Sequence, residues 1–314
     1  MKTASRGLGV VLSAALWLGG VQSAAACAFH GYTPNPTFVD LFLGTEQVVV
    51  ARPSGAGPRG YTALETLLGP DVGDVPIEVS DAVRRALAGQ PEATVLLARD
   101  GSYGPWLEIV VLDAGYRRLV EQVAEKQSVW LLGDEQDRLE FFAKRVNDTH
   151  PAIRDIALRE LDRAPYAALR ALRLPKIDGL GAALETGDEA LMPIRVLLAG
   201  LSQDAALGAL VKTGLDEAIE GQLPYVGAYV TALVELEGAE AVAGVFEAYQ
   251  RAGVHTELTR ERLMQALSVQ YKSAPRKLRR AIAGEVAKEL RQAPEFGRAA
   301  KRHFSFGGAW RPFK

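Results

Sequence analysis

A chain of 314 residues with a formal net charge of −2, 48% hydrophobic and only 7% aromatic, is long enough for two ordinary domains held together by burial. A single cysteine closes no internal disulfide and builds no zinc finger, so neither kind of staple supports the fold. The mild acidity argues against a general nucleic-acid binder.

The chain begins with Lys2 and Arg6, continues with an apolar run from Leu8 to Val21, and reaches small residues ending at Ala26. A positive start, a short apolar stretch and small residues, in that order, make an export signal. The run falls short of the roughly 20 residues that a membrane span needs. Residues 1–26 are therefore excluded from the fold. Losing Lys2 and Arg6 takes the formal net charge from −2 to −4. The mature chain is expected to be periplasmic or secreted.

The one thiol, Cys27, follows immediately. Three roles are open to it. It is the lipidated first residue of a lipoprotein, with Ala24 standing where Leu usually precedes such a cysteine. Or it joins His30 and the free amine as a ligand for copper or zinc, the one cofactor class in view. Or it is a small, half-buried residue near the cleavage point. Pro34 and Pro36 predict an extended arm over 27–37, which offers Phe29, Tyr32 and Phe38 for docking on the part that follows.

From residue 38 to 132 the texture is short β-rich runs: Gln47–Ala51, Pro76–Val79, Thr94–Ala98 and Leu107–Leu112. Turn compositions separate them, and Ala82–Gly89 and Gly115–Lys126 read as helices. From 133 onward almost every segment is an amphipathic helix between Pro or Gly residues. The fold class expected is α+β: a small, mainly-β, barrel-like N-terminal domain over 38–132, then an all-α, HEAT-like solenoid over 133–314.

The run "PAIRDIALREL", Pro151–Leu161, resembles the second helix of a HEAT repeat. That resemblance implies an interaction scaffold with a concave binding face over roughly the last 180 residues, without a fixed repeat period. A start at Cys27 followed by "EQVVVA" is similar to netrin-like domains of OB-barrel type. Those begin Cys-x-Cys, whereas Ala28, Phe29 and His30 follow here and no partner cysteine exists, so no inhibitor function is carried over. Taken together the chain resembles exported bacterial proteins that pair a small netrin- or OB-like β domain with HEAT-like helices.

Two motif matches fail on context. Gly55, Gly57 and Gly60 make G-x-G-x-x-G, but a dinucleotide site needs a helix to start there, and a glycine-rich hairpin turn fits better. "DGSYG", Asp100–Gly104, lacks the spacer of a nucleophile elbow and instead presents Tyr103 and Trp106 as packing or contact residues. His150 and His255 read as surface or capping residues. The carboxylates of "IRDIALRELDR" read as a solvated, ion-paired helix face.

Between Lys272 and Arg302 ten bases face only Glu285, Glu289 and Glu295, a local balance of +7. Arg276, Lys277, Arg279 and Arg280 head this run and are the candidate contact for an acidic protein partner in the cell envelope, or for anionic headgroups. The alternative is a polar capping face on a terminal repeat. Membrane contact otherwise follows only from lipidation of Cys27. The function expected is that of a noncatalytic scaffold or adaptor for another envelope or secreted protein; the alternative is an extracytoplasmic hydrolase or metal-binding protein with a site between the two halves.

Overall fold

The computed structural model describes Phe29 and residues 34–55, 59–101 and 103–304. The expected sites Cys27 and His30 lie outside the described residues, as do the signal segment and Tyr32.

The fold is α+β, with an antiparallel sheet first and helices after it. It opens with a short helix not foreseen above, α1 (Phe38–Gly44). The Thr37 side chain accepts from the Asp40 N–H, and the Asp40 carboxylate accepts from the Thr37 N–H at 2.7 Å. This reciprocal cap is what lets so short a helix form. Then come β1 (Gln47–Pro53), β2 (Arg59–Leu68), β3 (Asp74–Glu78), α2 (Asp81–Ala88), β4 (Thr94–Arg99), β5 (Leu107–Leu112) and α3 (Ala114–Leu131). The five strands form one sheet in the order β3-β2-β1-β4-β5, every pair antiparallel, curled into a half-barrel. Gly55 lies just after β1 and Gly60 within its antiparallel partner β2, so the described part of the glycine-rich motif does not open a helix.

Both faces of the sheet are covered, which is why β1 and β4 read as unbroken apolar runs. Val48, Val50, Leu96, Ala98 and Leu112 face the helices, in one cluster with Phe38, Phe42, Leu119 and Val120. The alternate residues Val49, Ala51, Val95 and Leu97, with Tyr61 and Val75, pack under Val79 and Val83 of the α2 region. Tyr61 donates to Glu108, and the Ser80 N–H donates to the same Glu108 oxygen at 2.9 Å, tying β2, β5 and the start of α2 together.

Beyond Gly133, whose φ of 92° turns the chain, lie α4 (Glu135–Ala143), α5 (Pro151–Asp162), α6 (Tyr166–Ala171) and α7 (Leu180–Thr186). They are followed by α8 (Met192–Leu201), α9 (Gly208–Glu220), α10 (Val226–Glu237), α11 (Ala239–Arg251), α12 (Glu257–Ser273), α13 (Arg276–Gln292) and α14 (Gly297–Phe304). Helices two apart in sequence pack together: α8 on α10, α10 on α12 and α12 on α14, with α7 on α9, α9 on α11 and α11 on α13.

The boundary drawn between 132 and 133 falls at this glycine turn, yet the apolar cluster runs across it. Trp130 of α3 meets Phe141 of α4 at 5.3 Å, and its indole N–H donates to Asp137 at 2.8 Å. Phe29 crosses it too. Phe29 is buried against Tyr166 of α6, ring centroids 5.3 Å apart, and so docks on the helical part instead of on the sheet. Phe38 does meet the first half, edge-on to Tyr116 of α3 at 5.7 Å.

Candidate functional site

The sequence-nominated residues fall in three places. Tyr103 is fully exposed in the β4–β5 connection, at 101%. Trp106 is half-buried against the outer sheet cluster, with the Arg99 guanidinium 4.7 Å above its ring, which makes it part of the packing. Arg276, Lys277, Arg279 and Arg280 fill the first turns of α13 and all four are exposed. The structure does not bring Tyr103 and Trp106 into one element with the α13 cations.

The α13 group is unusual for its setting. Helix N-termini carry partial positive charge, so cations there are disfavoured by roughly 0.3–1 kcal/mol each. Pro275 precedes the helix and gives no side-chain cap. None of the four cations reaches a carboxylate among the described residues. The acids of α13 are turned elsewhere: Glu285 pairs with Lys288 at 3.0 Å, while buried Glu289 accepts from Gln250 at 3.1 Å.

Elsewhere the polar side chains are consumed by the fold. The carboxylates of α5, read above as a solvated face, divide: Asp155 stays outside and pairs with Arg159 at 2.7 Å, but Glu160 is 3% exposed and Asp162 5%. Glu160 takes the Arg138 Nε–H at 2.7 Å and the Thr37 hydroxyl; Arg138 also reaches Asp40 at 2.9 Å, and Arg163 pairs with Asp40. The network joins α1, α4 and α5. Its partners stand 22 to 123 residues apart, so no local sequence signal reveals it.

A second buried knot joins α6, α10 and α12. Tyr166 donates to Glu235, Gln270 donates to the Tyr166 oxygen at 2.6 Å, and Arg170 pairs with Glu235 at 2.9 Å. Burial, followed by the Glu235 charge, pushes the Tyr166 hydroxyl far above the ordinary phenol range, so it stays a donor.

The three described histidines are likewise engaged. His255 stacks on Tyr249 at 4.6 Å, and His303 lies 2.7 Å from Glu261. His150 stands at the N-cap of α5, but its side chain makes no cap there; its Nε2 lies 2.5 Å from Asp113, the N-cap of α3. That contact, with the Tyr116 N–H, holds the Asp113 carboxyl below the usual range. A His–Asp pair activates a nucleophile through the other ring nitrogen, and His150 Nδ1 meets no hydrogen-bond partner among the described residues.

A cavity of about 580 Å³ opens between Pro34–Asn35, α5 and the start of α10. Asp162, Asp188, Glu189 and Arg159 line it with Leu191 and Tyr225. Burial, then the Glu189 charge, pushes the Tyr225 hydroxyl up. Among the described residues no group of three His, Cys, Asp or Glu side chains is arranged to hold a metal ion, and no helix is long and apolar enough to cross a membrane.

Comparison of the chain with family models, curated proteins and solved structures gives no match.

Proposed function

We propose that this is an exported, noncatalytic scaffold of the cell envelope, its helical part a HEAT-like solenoid, which docks an anionic partner through the outer face of α13. The solenoid reading is supported by the packing of helices two apart in sequence, the contact pattern of stacked helix pairs. The docking reading rests on one observation above all. Arg276, Lys277, Arg279 and Arg280 are exposed, unpaired among the described residues, and set against the helix dipole. Such an arrangement weakens the free protein slightly and strengthens any complex with an anion.

The test is retention of native envelope material by the immobilised mature protein, beside a variant carrying Arg276→Glu, Lys277→Glu, Arg279→Glu and Arg280→Glu. Retention should fall steeply with salt for the parent chain and be lost in the variant, whose stability should be unchanged or raised, because acidic side chains suit a helix N-terminus where cations do not. Equal, salt-insensitive retention by both chains would leave the cations as a polar cap and nothing more.

A further inference from the structure

The α13 face carries more information than its sign. At 3.6 residues per turn, Arg276, Lys277, Arg280, Gly284, Lys288 and Arg291 fall within an arc of about 120°, and Ala287 lies inside it. The buried residues Ile282, Val286 and Glu289 point the opposite way. The stripe runs about 22 Å along the helix at 1.5 Å per residue, and it contains cations and small residues only. Gly284 sharpens this. It is exposed in mid-helix, and a Cβ placed there would meet nothing within 4 Å among the described residues, so packing against them does not require a glycine.

A protein-binding patch has a different composition. Its energy comes from a few buried aromatic or large apolar anchors ringed by polar groups, with lysine depleted at the centre. The exposed large apolar residues of the described chain are Leu41, Leu64, Tyr103, Leu107, Val129, Leu131, Leu132, Val254 and Leu258, and none is on α13. What remains is a polyvalent attraction without a large apolar anchor on the helix, which suits many mobile anions spread over a surface. The sequence after Phe304 continues in the same sense: "SFGGAWRPFK" adds Arg311 and Lys314, no acid, and Phe306, Trp310 and Phe313, residue types that favour a membrane–water interface.

We infer that the anionic partner of this face is a membrane surface, met through its phospholipid headgroups. The inference rests on the reading of α13 as a docking face and names what docks. Each exposed cation near such a surface strengthens binding about fivefold, falling off within a Debye length.

The experiment is co-sedimentation of the mature protein with vesicles of phosphatidylglycerol and phosphatidylcholine, set against pure phosphatidylcholine, across a salt series. Binding is expected to the anionic vesicles only and to vanish at high salt. The variant Arg276→Gln, Lys277→Gln, Arg280→Gln, Arg291→Gln should lose a few hundredfold in vesicle affinity, at about fivefold per cation. Arg251→Gln, which removes a cation of α11 paired with Asp216 of α9, should bind as the parent does. Circular dichroism of each variant separates lost binding from lost fold. Absence of binding to anionic vesicles, alongside cation-dependent retention of an acidic envelope protein, would overturn the lipid assignment and leave the docking face intact. Vesicle binding that the four-residue variant retains in full would remove α13 from both readings.

Discussion

Helices α8 and α10, of 10 and 12 residues, and helix α13, of 17, differ in make-up and are opposite in use: α8 carries one cation, α10 none and α13 six. In α10 the run Val226–Val234 is buried on all sides, and α8 buries nearly all of Met192–Gly200. In α13 only Ile282, Val286 and Glu289 are buried, and one long side is cationic. The central pair approach so closely that a Cβ on Gly200 would stand 2.5 Å from the Ala232 Cα, while Gly284 on the outer helix meets nothing. A glycine is thus required by packing in one place and by no described neighbour in the other. The difference teaches where to look for an external partner: at a feature that lowers local stability and has no internal explanation.

Three substitutions break or sharpen that contrast. The largest loss is expected in the buried network next to the core helices. Arg138→Ala leaves Glu160, and in part Asp40, without its cation in a dry setting. Breaking one partner of such a pair costs about 3–5 kcal/mol, to be read from the midpoint of urea denaturation. A loss under about 1 kcal/mol would mean that water already solvates Glu160. Next comes Gly200→Val, which forces α8 away from α10; overpacking of this kind costs about 1–3 kcal/mol, seen as a lowered midpoint with an unchanged urea slope. An unchanged midpoint would mean that the two helices separate freely. The smallest effect has the reverse sign. Gly284→Ala removes a poor helix former from an open position and should stabilise the chain by about 1 kcal/mol. Thermal unfolding that moves downward would show that Gly284 packs against something in the free protein.

Much of the architecture was legible because local rules produce it. Strands β1 and β4 announced themselves as β-branched apolar runs, α5 by Pro151 at its first turn, and the β1–β2 hairpin by its glycines. The helix α1 was missed although its cap is written in the chain: Thr37 followed three residues later by Asp40. Seven residues do not supply enough periodicity to betray a helix, and the cap alone had to be read. The exposure of the four basic residues heading α13 was legible as well, since cations rarely enter a core unpaired.

The burial of Glu160 was not legible. Its neighbours Arg159 and Asp155 make the local ion pair that the sequence led one to expect, while its own partners, Arg138 and Thr37, arrive from distant segments. Nor could the sequence place Phe29, whose ring meets that of Tyr166, 137 positions further along the chain. The amino-acid order by itself settled most of the helices, strands β1, β3, β4 and β5, and the segregation of charge along α13, because propensity, capping and periodicity act over a few residues. Tertiary structure alone decided which carboxylates are desolvated, that one apolar cluster spans the turn at Gly133, and where Phe29 docks. Those outcomes depend on which surfaces meet, and burial strengthens every charge interaction they enclose.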